Sequence, residues 1–154
     1  MKEEFLHYLW KYSLYDKDSL VDNENNKIIV LNPGEYNRDS GPDFFNARIN
    51  IAGTEWAGNV EIHTRASHFN SHGHNHDHAF DNVILHIVGE NDKKIFNARG
   101  NELLTVEIKF DPLLYDRYIE LVNCPAVIAC QEYAGMIDRF VVRHWLHSLL
   151  IERL

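Results

Sequence analysis

The chain has 154 residues, which is enough for one domain with its own core and too few for two comfortable ones. Hydrophobic residues make up 45% and charged residues 25%, as in an ordinary soluble globular protein. The formal net charge of −8 excludes a simple polybasic surface for nucleic acid or membrane. No stretch approaches the roughly 18 consecutive apolar residues that a membrane span requires.

The amino-terminal segment predicts a helix and no export signal. MKEEFLHYLW contains acidic residues and lacks a long apolar stretch, unlike a secretory signal. Within residues 2–15, apolar side chains recur at helical spacing, which predicts an amphipathic helix.

The cysteines, Cys124 and Cys130, have neither zinc-site spacing nor a second pair, which favours reduced structural thiols. We therefore expect a cytoplasmic protein.

A β-hairpin is predicted next along the chain. The segment DFFNARINIAGTEWAGNVEIHT alternates in polarity on both sides of AGT, so the turn is expected near Gly53. A register that pairs apolar residues with one another sets Ala47 opposite Val60 and Ile51 opposite Trp56. The other face of this hairpin carries carboxylate, imidazole, guanidinium and amide groups, an unusual set if only solvent covers it.

The remaining elements define the expected fold class. Strands are predicted for the segments KIIVLN, NVILHIVGE and ELLTVEIKF. A helix is predicted for DPLLYDRYIELVN, with Asp111 as its N-cap and Pro112 at its first position. We predict a single α+β domain over residues 1–154. Its core, residues 27–110, holds a mixed, mainly antiparallel sheet of about five strands behind an N-terminal helix. Helices follow in residues 111–154, and a β-rich metal barrel or sandwich is the alternative.

The last segment, EYAGMIDRFVVRHWLHSLLIERL, is amphipathic and still carries apolar periodicity at Leu154. It has no cap or polar tail there. We therefore expect the N-terminal fragment of a longer chain, with this helix docking on a following domain or on another chain.

Two carboxylates and an imidazole flank the hairpin. Asp43, in SGPDF, precedes the first strand, while Glu61 and His63 are i, i+2 neighbours on the second. Two carboxylates brought together suit Mg²⁺ or Mn²⁺, which can activate water and stabilise charge on a phosphate. In the apolar register these carboxylates lie on opposite faces, so a bulge near Gly58 or just after Pro42 is required. The alternative is a capped turn and an exposed cross-strand pair.

Seven of the ten histidines are concentrated in the second hairpin strand and the segments that follow it. SHGHNHDHAFDN holds four alternating histidines: His72, His74, His76 and His78. Imidazole with carboxylate suits Zn, Mn, Fe or Ni, although histidine-rich tracts also bind metals adventitiously. Because the segment leaves from the end of the strand, we expect His72, His74 or Asp77 to join the site of Glu61. His86 lies within an apolar strand, as a core histidine or as one that points into the site.

The pattern G-x-D-F, a strand and then V-E-x-H resembles the core of the PD-(D/E)XK nuclease-like fold, over roughly residues 30–90. The resemblance implies a restriction-endonuclease-like core in which Asp43 and Glu61 are catalytic carboxylates that hold the metal. It places His63 where a lysine is usual and makes Glu35 a candidate for the upstream acidic residue. It also implies a Mg- or Mn-dependent hydrolase that acts on nucleic acid.

A closer similarity covers most of the chain. The segments GPDFFNARI, WAGNVEIH and SHGHNHDHAFDNVILHIV are similar to the N-terminal part of a bacterial family of unknown function, DUF2851. That similarity implies a family and no activity. Three hypotheses therefore stand: a nuclease-like phosphodiesterase or degenerate relative with Mg or Mn, a His/carboxylate protein with Zn, Ni or Fe, and a non-catalytic binding or scaffold module.

Overall fold

Two units make up the described part of the chain, which the computed structural model gives as residues 1–125, 133 and 135–152. Unit one is Met1–Tyr115 and unit two is Asp116–Leu154. We describe each unit by itself. The prediction of a reduced thiol at Cys130 lies outside the described residues, whereas Cys124 is a free cysteine.

A six-stranded mixed sheet forms the centre of the first unit. Its strands are β1 (Ile28–Asn32), β2 (Glu35–Tyr36), β3 (Phe44–Ile51), β4 (Thr54–Arg65), β5 (Val83–Glu90) and β6 (Thr105–Glu107). The strands lie in the order β1-β3-β4-β5-β6, with β2 also paired to β3. β3 runs antiparallel to β1, β2 and β4, whereas β4 with β5 and β5 with β6 are parallel. The predicted α+β class with a mixed sheet is confirmed.

The hairpin of β3 and β4 turns where the sequence predicted, but its register differs. Ala52 and Gly53 have φ of 49° and 85°, so a two-residue turn with two left-handed residues joins the strands. This short turn pairs Ile51 with Thr54 and Ile49 with Trp56. The predicted pairing of Ile51 with Trp56 is therefore wrong. Turn geometry, rather than apolar pairing, sets the register, and Trp56 is left 51% exposed.

A β-bulge in β3 places Asp43 and Glu61, the two predicted metal-binding carboxylates, opposite each other. The register shifts between Phe44 and Ala47, and Asn46 within this stretch has a φ of 57°. Phe44 pairs with Val60, so the next pair along the two strands is Asp43 with Glu61. If the register set at the turn continued to this end of the hairpin, Asp43 and Glu61 would lie on opposite faces. The required bulge therefore exists, and it lies at the start of β3, bounded on one side by the pair of Ala47 with Gly58.

Helix α1 (Glu3–Lys11) packs against β4. One face of α1 is fully buried, through Phe5, Leu6, Leu9 and Trp10. Burial of each such side chain stabilises the fold by about 1.5–3 kcal/mol before entropy is counted. The helix is shorter than predicted and ends at Lys11, shortly before Ser13, whose φ is 53°.

The connection between β4 and β5, residues 66–82, carries five of the ten histidines. It contains α2 (His68–Ser71) and two 3₁₀ turns, His74–His76 and His78–Phe80. Apolar side chains hold this segment to the sheet in one cluster: Ala66, Phe69, Phe80, Val83, Val88, Ile95 and Leu103. Because β4 and β5 are parallel, the connection crosses one face of the sheet and covers it.

Helix α3 (Pro112–Val122) begins as predicted, because the Asp111 carboxylate accepts a hydrogen bond from the Leu113 amide at 3.0 Å. Helix α4 (Arg139–Glu152) lies within the second unit. Several of its apolar side chains are exposed: Phe140, Val141, Trp145, Leu146, Leu150 and Ile151. Within the described residues, no helix has the length and apolar character needed to cross a membrane.

Candidate metal centre

The centre of the candidate site is built on adjacent strands. Glu61 and His63 alternate along β4 and therefore project from the same face, where they are only 4% and 1% exposed. His86 lies on β5, is paired in register with Glu61 and is fully buried. Buried polar groups must find polar partners, and these side chains find one another.

Four histidines meet at this point: His63, His72, His74 and His86, which we call the histidine cluster. The Nδ1 atom of His63 lies 2.9 Å from Nε2 of His86, and its Nε2 lies 3.2 Å from Nδ1 of His72. One potential ligand atom from each of His63, His72 and His74 lies within 4.8 Å of the others. These three residues could therefore hold a metal ion.

A carboxylate oxygen borders the same space. Oε1 of Glu61 lies 3.3 Å from Nε2 of His74 and 3.6 Å from Nε2 of His63. The other oxygen, Oε2, accepts a hydrogen bond from the Asp43 amide at 3.1 Å. Glu61 is thus held by the backbone on one side and faces imidazole nitrogens on the other.

Two phenylalanines form an apolar wall behind the histidine cluster. The ring of Phe80 stacks on His74, with ring centroids 3.9 Å apart and an interplanar angle of 23°. Phe69 lies 5.3 Å from the ring centroids of both His74 and His86. Both phenylalanines are buried, so they exclude water and lower the local dielectric.

Burial and mutual proximity set the protonation of the site. Burial, assisted by the neighbouring imidazoles, lowers the pKa of His63 to about 2. Burial, and secondly His74, lowers the pKa of His86 to about 3. Burial and then the nearby Asp43 charge raise the pKa of Glu61 to about 9. At neutral pH the rings of His63 and His86 are therefore neutral, the form that binds metals, and they lie beside a protonated Glu61 carboxyl group.

Asp43 and Glu61 each receive a backbone hydrogen bond from the other's strand. The Asp43 carboxylate accepts from the Ile62 amide at 2.9 Å, and the Asp43 amide donates to Glu61. The same Asp43 oxygen lies 3.3 Å from Nε2 of His7 on α1, and Nδ1 of His7 lies 3.4 Å from the Tyr36 hydroxyl. Burial lowers the pKa of His7, but the hydrogen bond and charge of Asp43 outweigh it and raise that pKa overall.

The other predicted site residues are not among the ligand atoms that converge here, although the charge of Asp77 acts on His74. Glu35 is exposed on β2. Asp77 caps the second 3₁₀ turn by accepting from the Ala79 amide at 2.8 Å. His76 and His78 are exposed. The structure thus brings Asp43, Glu61, His63, His72 and His74 together in one region, without Glu35 or Asp77.

Sequence reasoning missed two residues that α1 contributes, Glu3 and His7. The Thr64 amide donates to the Glu3 carboxylate, and burial and then Asp43 raise the pKa of Glu3. Both residues lie on the helix face beside the buried one, at i and i+4. That spacing is visible in the sequence, but nothing in it indicated that α1 packs beside the carboxylates.

Fold and site together define a mixed α+β protein with a partly buried histidine cluster that could hold a metal ion. The chain belongs to the family described as "Protein of unknown function (DUF2851)", which it matches over residues 3–154. No curated protein and no solved structure matches the chain.

Proposed function

We propose that this protein binds a divalent transition-metal ion through His63, His72 and His74 and uses it to catalyse a hydrolytic reaction. The observation that carries the proposal is the convergence of three imidazole nitrogens within 4.8 Å of one another. Three protein ligands with a further position left for water or substrate are typical of catalytic zinc sites.

The donor atoms favour particular metals. Imidazole nitrogen suits Zn, Mn, Fe and Ni, whereas Mg²⁺ prefers carboxylate and water oxygens. Oε1 of Glu61 is the carboxylate oxygen that borders the cluster, so oxygen is the minority donor here. We therefore rank Zn, Mn, Fe and Ni above Mg for this cluster.

The surrounding residues supply proton transfer and orientation. A bound ion would provide Lewis acidity and would activate water for attack. Glu61 holds a proton at neutral pH in the metal-free site and faces the cluster through Oε1, which suits it to general acid–base transfer. The Asp43 amide fixes the other oxygen, so the carboxyl group cannot rotate freely away from the cluster.

A second candidate is the nuclease-like phosphodiesterase, in which Asp43 and Glu61 hold Mg²⁺ or Mn²⁺ against a nucleic-acid phosphate. Its support is the pair of backbone hydrogen bonds that tie these carboxylates to neighbouring strands. The surrounding cations favour it less. Arg48 is paired with Glu55, and Arg65 is paired with Glu90 and Asp92, so each would have to leave a carboxylate partner to receive phosphate.

Metal analysis of the untagged protein tests the first proposal. We expect about one equivalent of Zn, Mn, Fe or Ni by mass spectrometry, and its loss in His74→Ala. His76→Ala is the matched control, because His76 is an exposed histidine two residues away. Retention of the same metal in His74→Ala would refute the proposal. So would a wild-type protein that takes up none of these ions during titration.

Hydrolysis assays distinguish the two candidates. The probes are bis(4-nitrophenyl) phosphate, a 4-nitrophenyl ester, and single- and double-stranded DNA, each with Zn, Mn or Mg added. The first candidate expects activity with Zn or Mn that His74→Ala abolishes. The nuclease-like candidate expects DNA cleavage with Mg or Mn that Asp43→Asn abolishes and His74→Ala retains. DNA left intact under all these conditions would eliminate the second candidate.

A further inference from the structure

A line of polar contacts leads from the histidine cluster across the sheet. Nδ1 of His63 on β4 lies 2.9 Å from Nε2 of His86 on β5. Nδ1 of His86 lies 3.3 Å from the hydroxyl of Thr105, its register partner on β6. That hydroxyl lies 3.3 Å from the carbonyl oxygen of Leu103. All three side chains in this line are buried.

The carbonyl group of Leu103, at the end of this line of contacts, sets the direction of the hydrogen bonds. A carbonyl oxygen can only accept, so both contacts of the Thr105 hydroxyl are hydrogen bonds only if Thr105 donates its one proton to Leu103. The Thr105 oxygen must then accept from Nδ1–H of His86. A neutral imidazole carries one proton, which leaves Nε2 of His86 as an acceptor for Nδ1–H of His63. The Nε2 atom of His63 is consequently left with a lone pair.

That lone pair faces the cluster. Nε2 of His63 is the atom that lies 3.2 Å from Nδ1 of His72 and 3.6 Å from Oε1 of Glu61. A metal-binding histidine uses a lone-pair nitrogen, and the hydrogen bond at its other nitrogen sets which one that is. A histidine that served only to fill the core would require one polar partner, whereas His86 has a partner at each ring nitrogen.

We propose that His86 and Thr105 are positioning residues that hold His63 in the tautomer whose Nε2 lone pair faces the candidate metal centre. The use of this lone pair by a metal rests on the proposed function, but the direction of the hydrogen bonds does not. His86 and Thr105 touch no substrate or ion in this arrangement. They act through the orientation and tautomer of His63.

The tautomer can be measured in the wild-type protein without metal. Two-bond ¹H–¹⁵N correlation spectra of the imidazoles distinguish a protonated from an unprotonated ring nitrogen. We expect His86 to carry its proton on Nδ1, and His63 to carry its proton on Nδ1 as well. Protonation of either ring at Nε2 in the metal-free protein would overturn the proposal.

A pair of threonine variants tests the consequence for metal binding. Thr105→Val keeps the shape but removes the hydroxyl, and Thr105→Ser keeps the hydroxyl. Outer hydrogen-bond partners of a ligand change metal affinity by about 10–100-fold. Because Thr105 acts on His63 only through His86, we expect Thr105→Val to weaken Zn binding at the lower end of this range, about 10-fold, and Thr105→Ser to stay within about threefold of wild type. Equal affinity in wild type and Thr105→Val would overturn the positioning role.

The two proposals fail in distinguishable ways. If wild-type protein binds no ion, the proposed function fails, while the tautomers of the metal-free protein still confirm or overturn the direction of the line. If wild type binds an ion and Thr105→Val binds it equally well, the positioning role alone fails. Near-UV circular dichroism of both variants establishes that each retains the folded core, and Thr105→Ser supplies the hydroxyl rescue.

Discussion

The two halves of the histidine run differ although their sequences look alike. His72, although exposed, and the half-buried His74 both contact His63 on β4, whereas the exposed His76 and His78 lie outside this cluster. Strict alternation would place all four on one face of a strand. The run instead forms two 3₁₀ turns, with left-handed Gly73 before the first. The conformation of the backbone, rather than the density of histidine, decides which imidazoles can share an ion.

Packing against apolar side chains explains why His74 faces inward. His74 stacks on the buried ring of Phe80 and packs near Phe69. In the second half, Nδ1 of His78 pairs with Asp81 at 2.8 Å, and Arg99 joins the same carboxylate. A surface pair of this kind contributes little to stability, whereas an aromatic stack in the core contributes considerably more.

The largest expected effect comes from removing the apolar anchor of the inner half. Phe80→Ala should lower the free energy of unfolding by about 3–5 kcal/mol, because it truncates a side chain that is 3% exposed. The control is Phe96→Ala, since Phe96 is 46% exposed and should stay within about 0.5 kcal/mol of wild type. Urea denaturation measures both, and similar losses would contradict the anchoring role.

Exchanging one histidine in each half should separate them by metal affinity. His72→Ala should weaken Zn binding at least about 100-fold, or about 2.8 kcal/mol, because it removes a candidate ligand. His76→Ala should leave the affinity within about twofold, since its imidazole lies outside the cluster. Competition titration against a chromophoric chelator measures both constants. Equal Zn affinities of the two variants would contradict the assignment of His72 as a metal ligand.

Glu61 should make the metal-free protein less stable as the pH rises. Its pKa is about 9 in the fold and near 4.5 when unfolded, so the folded state holds more protons between these values. Stability therefore decreases with rising pH in this window. Between about pH 7.5 and 9, above the range in which unfolded His63 and His86 take up protons, wild-type Tm should fall by at least about 3 °C.

Glu61→Gln should remove most of that dependence, because the amide does not titrate. Glu102→Gln, at a surface carboxylate paired with Lys94, is the control and should keep the wild-type slope. Differential scanning calorimetry in chelator-treated buffer follows all three proteins. Parallel Tm curves for wild type and Glu61→Gln would count against a buried proton on Glu61.

The smallest effect is expected in the outer half. His78 is 79% exposed at its side chain, and its pair with Asp81 is open to solvent screening on that side. His78→Ala should change the free energy of unfolding by no more than about 1 kcal/mol and leave Zn affinity unaltered. Urea denaturation and the same competition titration provide the two values. A loss above about 2 kcal/mol would show that the outer half is also structural.

Local rules predicted the elements more accurately than their mutual placement. The turn at Gly53 and the Asp111 cap were predicted because each depends on residues within a few positions. The hairpin register was predicted wrongly, since apolar pairing was weighed above the geometry of a two-residue turn. The residues that α1 adds near Asp43 could not be predicted, because helix docking depends on long-range packing.

The candidate site shows the same division. Glu61 and His63 were identifiable from alternation along one strand, and His72 and His74 from their position just after it. The separation of these from Asp77 depends on how 3₁₀ turns orient each side chain, which residue spacing does not specify. The two contacts of His86 required knowledge of which strands lie beside β5.

The bulge at Asn46 has a consequence for how this family can vary. A left-handed backbone is tolerated by asparagine, aspartate and glycine but disfavours β-branched residues. In related chains that keep Asp43 and Glu61 side by side, we expect this position to be restricted to those three amino acids. Loss of the extra residue would return Asp43 to the opposite face of the sheet. Deletions here should therefore be selected against even though Asn46 itself is exposed.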